Sequence, residues 1–320
     1  MMRFVDAQTV HRLLDWPGLI EALRFSHRGP MPETARAVLE EPRPSGLPNM
    51  LLALPTWQHG EALGVKLVAS FPGNVAAFNV PTVDALYILF SPQTGKPQLV
   101  IDGEALIFRK TAADSALGAS FLARKESARL LMVGAGALAP YVVEAMLTVR
   151  PGIREVRIWN RTAERAATLA TSLRQQGIPA VAASDLDREV PEADIIVGAT
   201  MATSPLVKGA LLKPGAHVNL IGSFTPDMRE ADDHVLRRAR IYVDDFGCLE
   251  RSGEFIAPLR DGVITGDDVH GNLFDLCQAE PPPAFAPDDI TLFKNGGAGQ
   301  LDLFVARHLY QRLEELEHAA

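Results

Sequence analysis

Two groups of residues in this chain of 320 have the types and spacing for chemistry. The first is Gly134-Ala-Gly-Ala-Leu-Ala139, which reads G-x-G-x-x-A. An apolar strand, Arg129-Leu-Leu-Met-Val, precedes it, and a helix to about Thr148 follows. A second strand, Glu155-Val-Arg-Ile-Trp, stands about 20 residues on. In that order the glycines allow a tight turn and close approach of the backbone to a pyrophosphate. The helix N-terminus adds free N–H groups and a partial positive charge. Gly134, Gly136, Ala137 and Leu138 are therefore candidate cofactor-binding residues. Pro140 falls in the first helical turn, where its missing N–H costs nothing. The second strand ends in Asn160-Arg161-Thr162. A cofactor with a free ribose 2′-hydroxyl usually meets Asp or Glu there. Asn160 has no charge to repel a 2′-phosphate, Arg161 can pair with one, and Thr162 can add a hydroxyl and cap the next helix. The expectation is NADP(H), preferred over NAD(H).

The second group is cationic. Lys66 lies in the apolar stretch 63–71. Strand alternation puts Val65, Leu67 and Ala69 on one face and Lys66, Val68 and Ser70 on the other. A lysine on a partly buried face needs an acceptor, and a substrate carboxylate would supply one. Snorkelling to solvent, or pairing with an acid of the protein, are the other solutions. Arg109 and Lys110, read alone, are ordinary surface charges.

Around these groups the chain changes character. Up to about residue 115 it is mixed. Residues 10–25 read as one amphipathic helix, and a Pro-rich stretch follows. Strands are expected near 36–39, 50–54, 64–70, 85–90 and 98–102, with a Thr94-Gly95 turn, giving a mostly antiparallel sheet. From about 120, strand and helix signals alternate through 240–243, as a parallel sheet covered on both faces requires. Residues 279–288, with four prolines, read as a loop, and 301–318 as a helix. The expected fold is α/β: a Rossmann-type doubly wound parallel sheet at 119–298, plus an α+β domain from 1–118 and 299–320.

Composition narrows the function. Against 39 acids stand 31 Lys and Arg, so nothing general grips nucleic acid. The near-apolar run 128–147 contains Arg129, two glycines, Pro140 and Glu144, and reads as a strand then a helix, not a membrane span. Two cysteines make no disulfide framework, and the cytoplasm is the simplest compartment. The eight histidines form no HxxxH or His-x-His pair, so no metal site is expected. His217 reads as packed or surface-exposed. Asp244, Asp245, Glu250 and Glu254 read as caps or solvent-facing acids, and Cys248 as structural.

With these residues the chain resembles the ornithine cyclodeaminase/mu-crystallin family. The likeness extends to Gly64-Val-Lys-Leu-Val with Phe71-Pro-Gly-Asn, Thr94-Gly-Lys-Pro, Lys110-Thr-Ala-Ala-Asp-Ser-Ala, Ile221-Gly-Ser-Phe-Thr-Pro-Asp-Met-Arg-Glu and Thr291-Leu-Phe-Lys. The resemblance implies a homodimer whose first segment and last helix form a substrate-binding and dimerisation domain. It implies that Arg36 (or its rival Arg43), Lys66 and Lys110 hold a substrate carboxylate. Lys110 stands where most members carry arginine; arginine grips with a fork, lysine with a point charge, and neighbouring Arg109 could compensate. Thr200, Met201, Thr203 and Ser223 match positions lining the nicotinamide. Lys294 and Asp302 match C-terminal family positions, and Asp302 by itself reads as the start of the final helix.

Cyclodeaminases carry an aspartate where Phe224 stands, whereas mu-crystallin, a ketimine reductase, lacks that acid. The implied activity is thus NADPH-dependent reduction of a cyclic imine 2-carboxylate, Δ1-pyrroline-2-carboxylate or Δ1-piperideine-2-carboxylate, to proline or pipecolate, with Lys66 as the catalytic residue. The alternatives are an ornithine cyclodeaminase, an NAD(P)-dependent amino-acid dehydrogenase, and a non-catalytic ligand-binding protein of the mu-crystallin type.

Overall fold

The structure, a computed structural model, describes residues 2–44 and 46–319. The chain forms two compact units. One runs to Lys110 and resumes at Gly299; the other is Thr111–Ala298. The first border thus lies inside the helix Gly103–Leu122, short of residue 118.

In the first unit the described strands are β1 (Arg3–Val5), β2 (Glu33–Thr34), β3 (Ala37–Glu41), β4 (Asn49–Gln58), β5 (Ala62–Ser70), β6 (Val83–Phe90) and β7 (Pro97–Asp102). They form one sheet in the order β1-β7-β6-β5-β4-β2, with β3 also on β4. All pairs are antiparallel except β1 with β7. Gly95, at φ +67°, closes the β6–β7 turn, a conformation that costs glycine nothing. One sheet face is covered by the final helix, Gly299–Ala319, which packs on β4, β5 and β6. The single helix expected over 10–25 is two, Ala7–Leu13 and Trp16–Ser26. Asp15 breaks it: its carboxylate accepts from the Gly18 N–H at 2.9 Å, and Pro17 sits in the new first turn, where a missing N–H is harmless. The expected apolar positions Val10, Leu13, Leu14, Leu19, Ile20 and Leu23 are all buried nonetheless.

The second unit is built on β8 (Arg129–Val133), β9 (Glu155–Trp159), β10 (Ala180–Ala183), β11 (Ile195–Gly198), β12 (His217–Leu220), β13 (Ala239–Val243), β14 (Val269–Asn272) and β15 (Ile290–Lys294). All pair in parallel, in the order β10-β9-β8-β11-β12-β15-β13-β14. The chain winds outward from β8 through β10, returns, and continues on the other side from β11. The reversal between β8 and β11 makes the sheet doubly wound, of Rossmann type, with a crevice at the carboxyl ends of those strands. Leu131, Val133, Ile196, Val218, Leu220, Ile241, Val243 and Leu292 fill its core. Two strands escape a local reading. β14 has one apolar residue of any size in four, and β15, last in sequence, inserts between β12 and β13.

His217 is buried on β12 with Nδ1 2.9 Å from the Thr291 hydroxyl, and burial, helped by Arg150, pushes its pKa down to about 3. No helix among the described residues is long and apolar enough to cross a membrane.

Candidate active site

The glycine turn sits at the carboxyl end of β8. Gly134 has φ +115°, and a Cβ there would press on the Ala199 carbonyl, so only glycine fits. Gly136 opens onto free space. Among the described residues the N–H groups of Gly136, Ala137 and Leu138 have no protein partner. They lead into the helix Ala139–Val149, with Pro140 in its first turn. Three unsatisfied donors at a helix N-terminus form an anion cradle of the right size for a pyrophosphate, so the residues present fit a dinucleotide.

At the end of β9, Asn160 plays a local part. Its Oδ1 accepts the Ala135 N–H at 3.2 Å and its Nδ2 donates to the Thr162 carbonyl at 2.9 Å, so the carboxamide braces the glycine turn. Arg161 is exposed and has no protein partner among the described residues. Thr162 takes the N-cap position of the next helix, but its side chain makes no capping bond, contrary to the expected role.

The loops after β11 and β12 carry Thr200, Met201 and Ser223. Met201 is 73% exposed and Phe224 58% exposed. Ser223, by contrast, is fully buried at φ +58°, and its hydroxyl donates to Glu254 at 2.7 Å. It can therefore present only backbone to a ligand. The Thr200 hydroxyl and N–H both donate to Glu230. Beneath these loops Glu230, Glu254 and Lys294 assemble into a charged floor, all three buried, an assembly that sequence reading missed. Burial pushes the Glu230 carboxyl up to about 7 against the pull of Lys294 and the Thr200 donors, and Glu254 adds to the rise. Lys294 donates to the carbonyls of Gly222 and Asn295, each at 2.6 Å. Glu254 is thus neither a cap nor solvent-facing. Nor is Asp244: it is buried, and its Oδ2 accepts the Gly296 and Gly297 N–H groups at 2.8 Å, pinning a turn. No acidic, His or Cys group among the described residues is arranged for a metal. Cys248 is buried, which raises its thiol pKa and keeps it inert.

The cations belong to the first unit. On β5 the even-numbered face carries Ala62, Gly64 and Lys66, all buried. Register aligns Leu54, Lys66 and Tyr87 in one row across β4, β5 and β6. Residues directly opposite share a face, so Tyr87 and Lys66 lie together beneath the final helix. Lys110 reaches the same place from the helix Gly103–Leu122. Both lysines meet one oxygen of Asp302: Lys66 Nζ stands 2.7 Å and Lys110 Nζ 3.2 Å from its Oδ2. Asp302, read as a helix start, is instead a fully buried counter-ion. Burial works to raise its pKa, but Lys110 and Lys66 outweigh burial and hold it below the usual carboxylate range. Two ammoniums thus converge on one carboxylate oxygen in a nearly closed setting. Asp302 Oδ1, the Tyr87 hydroxyl and the Thr56 hydroxyl are buried there without a protein partner. The Tyr87 hydroxyl lies over Gly64, where any Cβ would collide with it.

The other expected cations part company. The β2–β4 and β3–β4 registers, 34 with 56 and 37 with 53, place Arg36 opposite Leu54. It sits on the exposed end of the Lys66 row, two strands or about 10 Å away. Arg43 lies beyond the end of β3, its guanidinium packed over Gly73, so the row favours Arg36. Arg109 does not compensate for Lys110: it stacks on Trp16 and donates to the His11 carbonyl at 2.9 Å.

Comparison with known proteins places the chain in a family. The profile of the ornithine cyclodeaminase/mu-crystallin family matches residues 4–317. A Delta(1)-pyrroline-2-carboxylate reductase of Paracoccus denitrificans is 40% identical over 299 residues, covering 92% of each chain. Among solved structures, the Thermococcus litoralis Delta(1)-pyrroline-2-carboxylate reductase in complex with NADH and L-proline superposes with a TM-score of 0.89 at 26% identity, over 99% of this chain and 98% of that one. An archaeal alanine dehydrogenase dimer with bound NAD superposes with a TM-score of 0.86 at 27% identity, over 98% and 96%. A profile match of that extent, on a doubly wound sheet with its glycine turn intact, establishes the family: the chain belongs to the ornithine cyclodeaminase/mu-crystallin family.

Proposed function

We propose that the protein reduces a cyclic imine 2-carboxylate, Δ1-pyrroline-2-carboxylate or Δ1-piperideine-2-carboxylate, with a reduced nicotinamide nucleotide, NADPH in preference to NADH. The observation that carries this reading is the Lys66–Lys110 pair sharing one Asp302 oxygen. Two buried ammoniums side by side suit an anion, and a carboxylate is the anion such substrates share. Lys66 and Lys110 bind that carboxylate, and Arg36 closes the exposed end of the row. Asp302 keeps the two ammoniums together when no substrate is bound. Gly136, Ala137 and Leu138 hold the pyrophosphate, and Arg161 the 2′-phosphate. When bound, the nicotinamide would supply a hydride to the carbon of the protonated imine, giving the secondary amine of the product and the oxidised nucleotide. Phe224, exposed where cyclodeaminases have an acid, can neither take a proton nor hold a cationic amine, which argues against ornithine cyclisation. The test is consumption of NADPH at 340 nm with each imine. Oxidation with pyruvate plus ammonia but not with the imines would favour an amino-acid dehydrogenase. Nucleotide binding with no turnover would favour a ligand-binding protein.

The cofactor preference has its own test. Arg161→Ala should raise the Kd for NADPH about 10- to 100-fold, the worth of one charge-assisted hydrogen bond. NADH binding should change less than about threefold by the same reasoning. Equal losses in a fluorescence titration would remove the 2′-phosphate contact.

The homodimer is also proposed here, and the sheet face opposite Lys66 supports it. That face exposes Phe4, Leu39, Leu51, Trp57 and Leu86, each at least 40% accessible. Register joins them: Leu39 faces Leu51, Leu67 faces Leu86, and Phe4 faces Val100. A continuous apolar face of this kind marks an association surface. The variant Leu51→Glu/Leu86→Glu should shift the mass measured by light scattering from twice 34.6 kDa to 34.6 kDa. An unchanged dimer would place the interface elsewhere.

A further inference from the structure

The parallel ladder between β11 and β12 ends abruptly. It runs from Ile195 opposite His217 to Gly198 opposite Leu220, and the Ile221 N–H still reaches the Gly198 carbonyl at 2.8 Å. Beyond that point the main-chain donors turn to a side chain. Glu230 Oε1 accepts the Thr200 N–H at 2.7 Å and the Thr200 hydroxyl at 2.8 Å, and Oε2 accepts the Gly222 N–H at 2.7 Å. The carboxylate stands between two chains that would otherwise go on pairing. Two glycines make its slot. A Cβ on Gly198 would lie 3.0 Å from the carboxyl carbon, and one on Gly222 would overlap the same group and the Thr200 carbonyl. Glu230 is itself held, its N–H donating to Glu254 Oε2 at 2.9 Å. From another side Lys294 takes the Gly222 carbonyl. Buried charges of this kind add little to stability; what they supply is geometry.

We propose that Glu230 is a positioning residue for the nicotinamide half of the dinucleotide: by splitting the chain ends at Thr200 and Gly222 it sets the width of the crevice that receives the ring. The inference rests on the reading that this edge of the sheet holds a reduced nicotinamide nucleotide. The charged groups facing Glu230 are Lys294 and Glu254, and every partner of its carboxylate is a donor. The ionised form satisfies all of them. A protonated carboxyl, or an amide in its place, must turn a donor on a donor and loosen the split.

The experiment compares wild type with Glu230→Gln by titrating NADPH or NADH, whichever the wild type binds more tightly, and the matching ADP-ribose fragment, which lacks the nicotinamide. The variant should bind the full nucleotide at least about tenfold more weakly, the worth of one charged hydrogen bond. It should bind the fragment within about twofold of wild type, because the cradle at Gly136–Leu138 is untouched. Wild-type affinity for the full nucleotide, relative to the fragment, should fall from pH 8 to pH 6, and the variant should show no such slope. Unchanged binding of both ligands, or equal weakening of both, would overturn the assignment. A wild type that binds neither nucleotide would instead overturn the functional reading beneath it.

Discussion

Lys66→Met should lower kcat/KM for the cyclic imine by about 10²- to 10⁴-fold, the equivalent of leaving a desolvated carboxylate without its partner. Methionine is one atom shorter and keeps an unbranched apolar stem, so packing is largely conserved. The Lys110–Asp302 ion pair remains, so Asp302 is not left without a cation and the fold should stay intact. The nucleotide Kd should be unchanged, because the cradle is made of residues in the other unit. Steady-state kinetics with a parallel NADPH titration checks both halves. Activity within tenfold of wild type would show that the carboxylate is held elsewhere, with Arg36 then the first residue to examine.

Asp302→Asn has the largest expected effect on stability. The two ammoniums it joins lie within about 6 Å of each other. Their repulsion at an effective dielectric of 20 is about 3 kcal/mol, and stranding buried charge typically costs about 3–5 kcal/mol. Denaturant unfolding should show a loss of that size at pH 7. The pH dependence separates this from ordinary packing loss. With no counter-ion, one lysine should titrate in the folded state below its unfolded value. The unfolded chain then binds more protons, so the variant should gain stability as pH rises toward 10. The wild-type carboxylate has the same sign in a more acidic window. Asp302 titrates below its unfolded value, so its contribution is present above about pH 4 and is lost as pH falls through the folded value. Adding Lys110→Met to Asp302→Asn should restore part of the stability. A variant as stable as wild type, with no alkaline gain, would mean that the lysines do not share one buried charge.

Much of this was legible from local pattern. The glycine turn announces itself because a strand, two glycines and a helix follow one another within a few residues. Most strands of the parallel sheet announce themselves as short apolar runs, and Lys66 stands out as a charge inside an apolar run of the other sheet. The single helix expected over 10–25 failed for a local reason too: Asp15 and Pro17 are start signals that apolar periodicity outweighed. Individual hydroxyls were harder to place from position alone. Ser223 and Thr162 were assigned by position, yet one hydroxyl is spent on Glu254 and the other makes no cap.

By itself the sequence determined the kinds of element, the turn that can cradle phosphate, and the family. These depend on side-chain periodicity and backbone freedom, which act over a handful of residues. Tertiary structure alone decided that Asp302, 236 residues beyond Lys66, joins the two lysines, and that Glu230 separates the chain ends just past β11 and β12. It alone decided that β15 enters between β12 and β13. The physical reason is common to all three: a buried charge or an unpaired strand edge must find its complement wherever folding brings one, and that requirement leaves no mark on the neighbouring sequence.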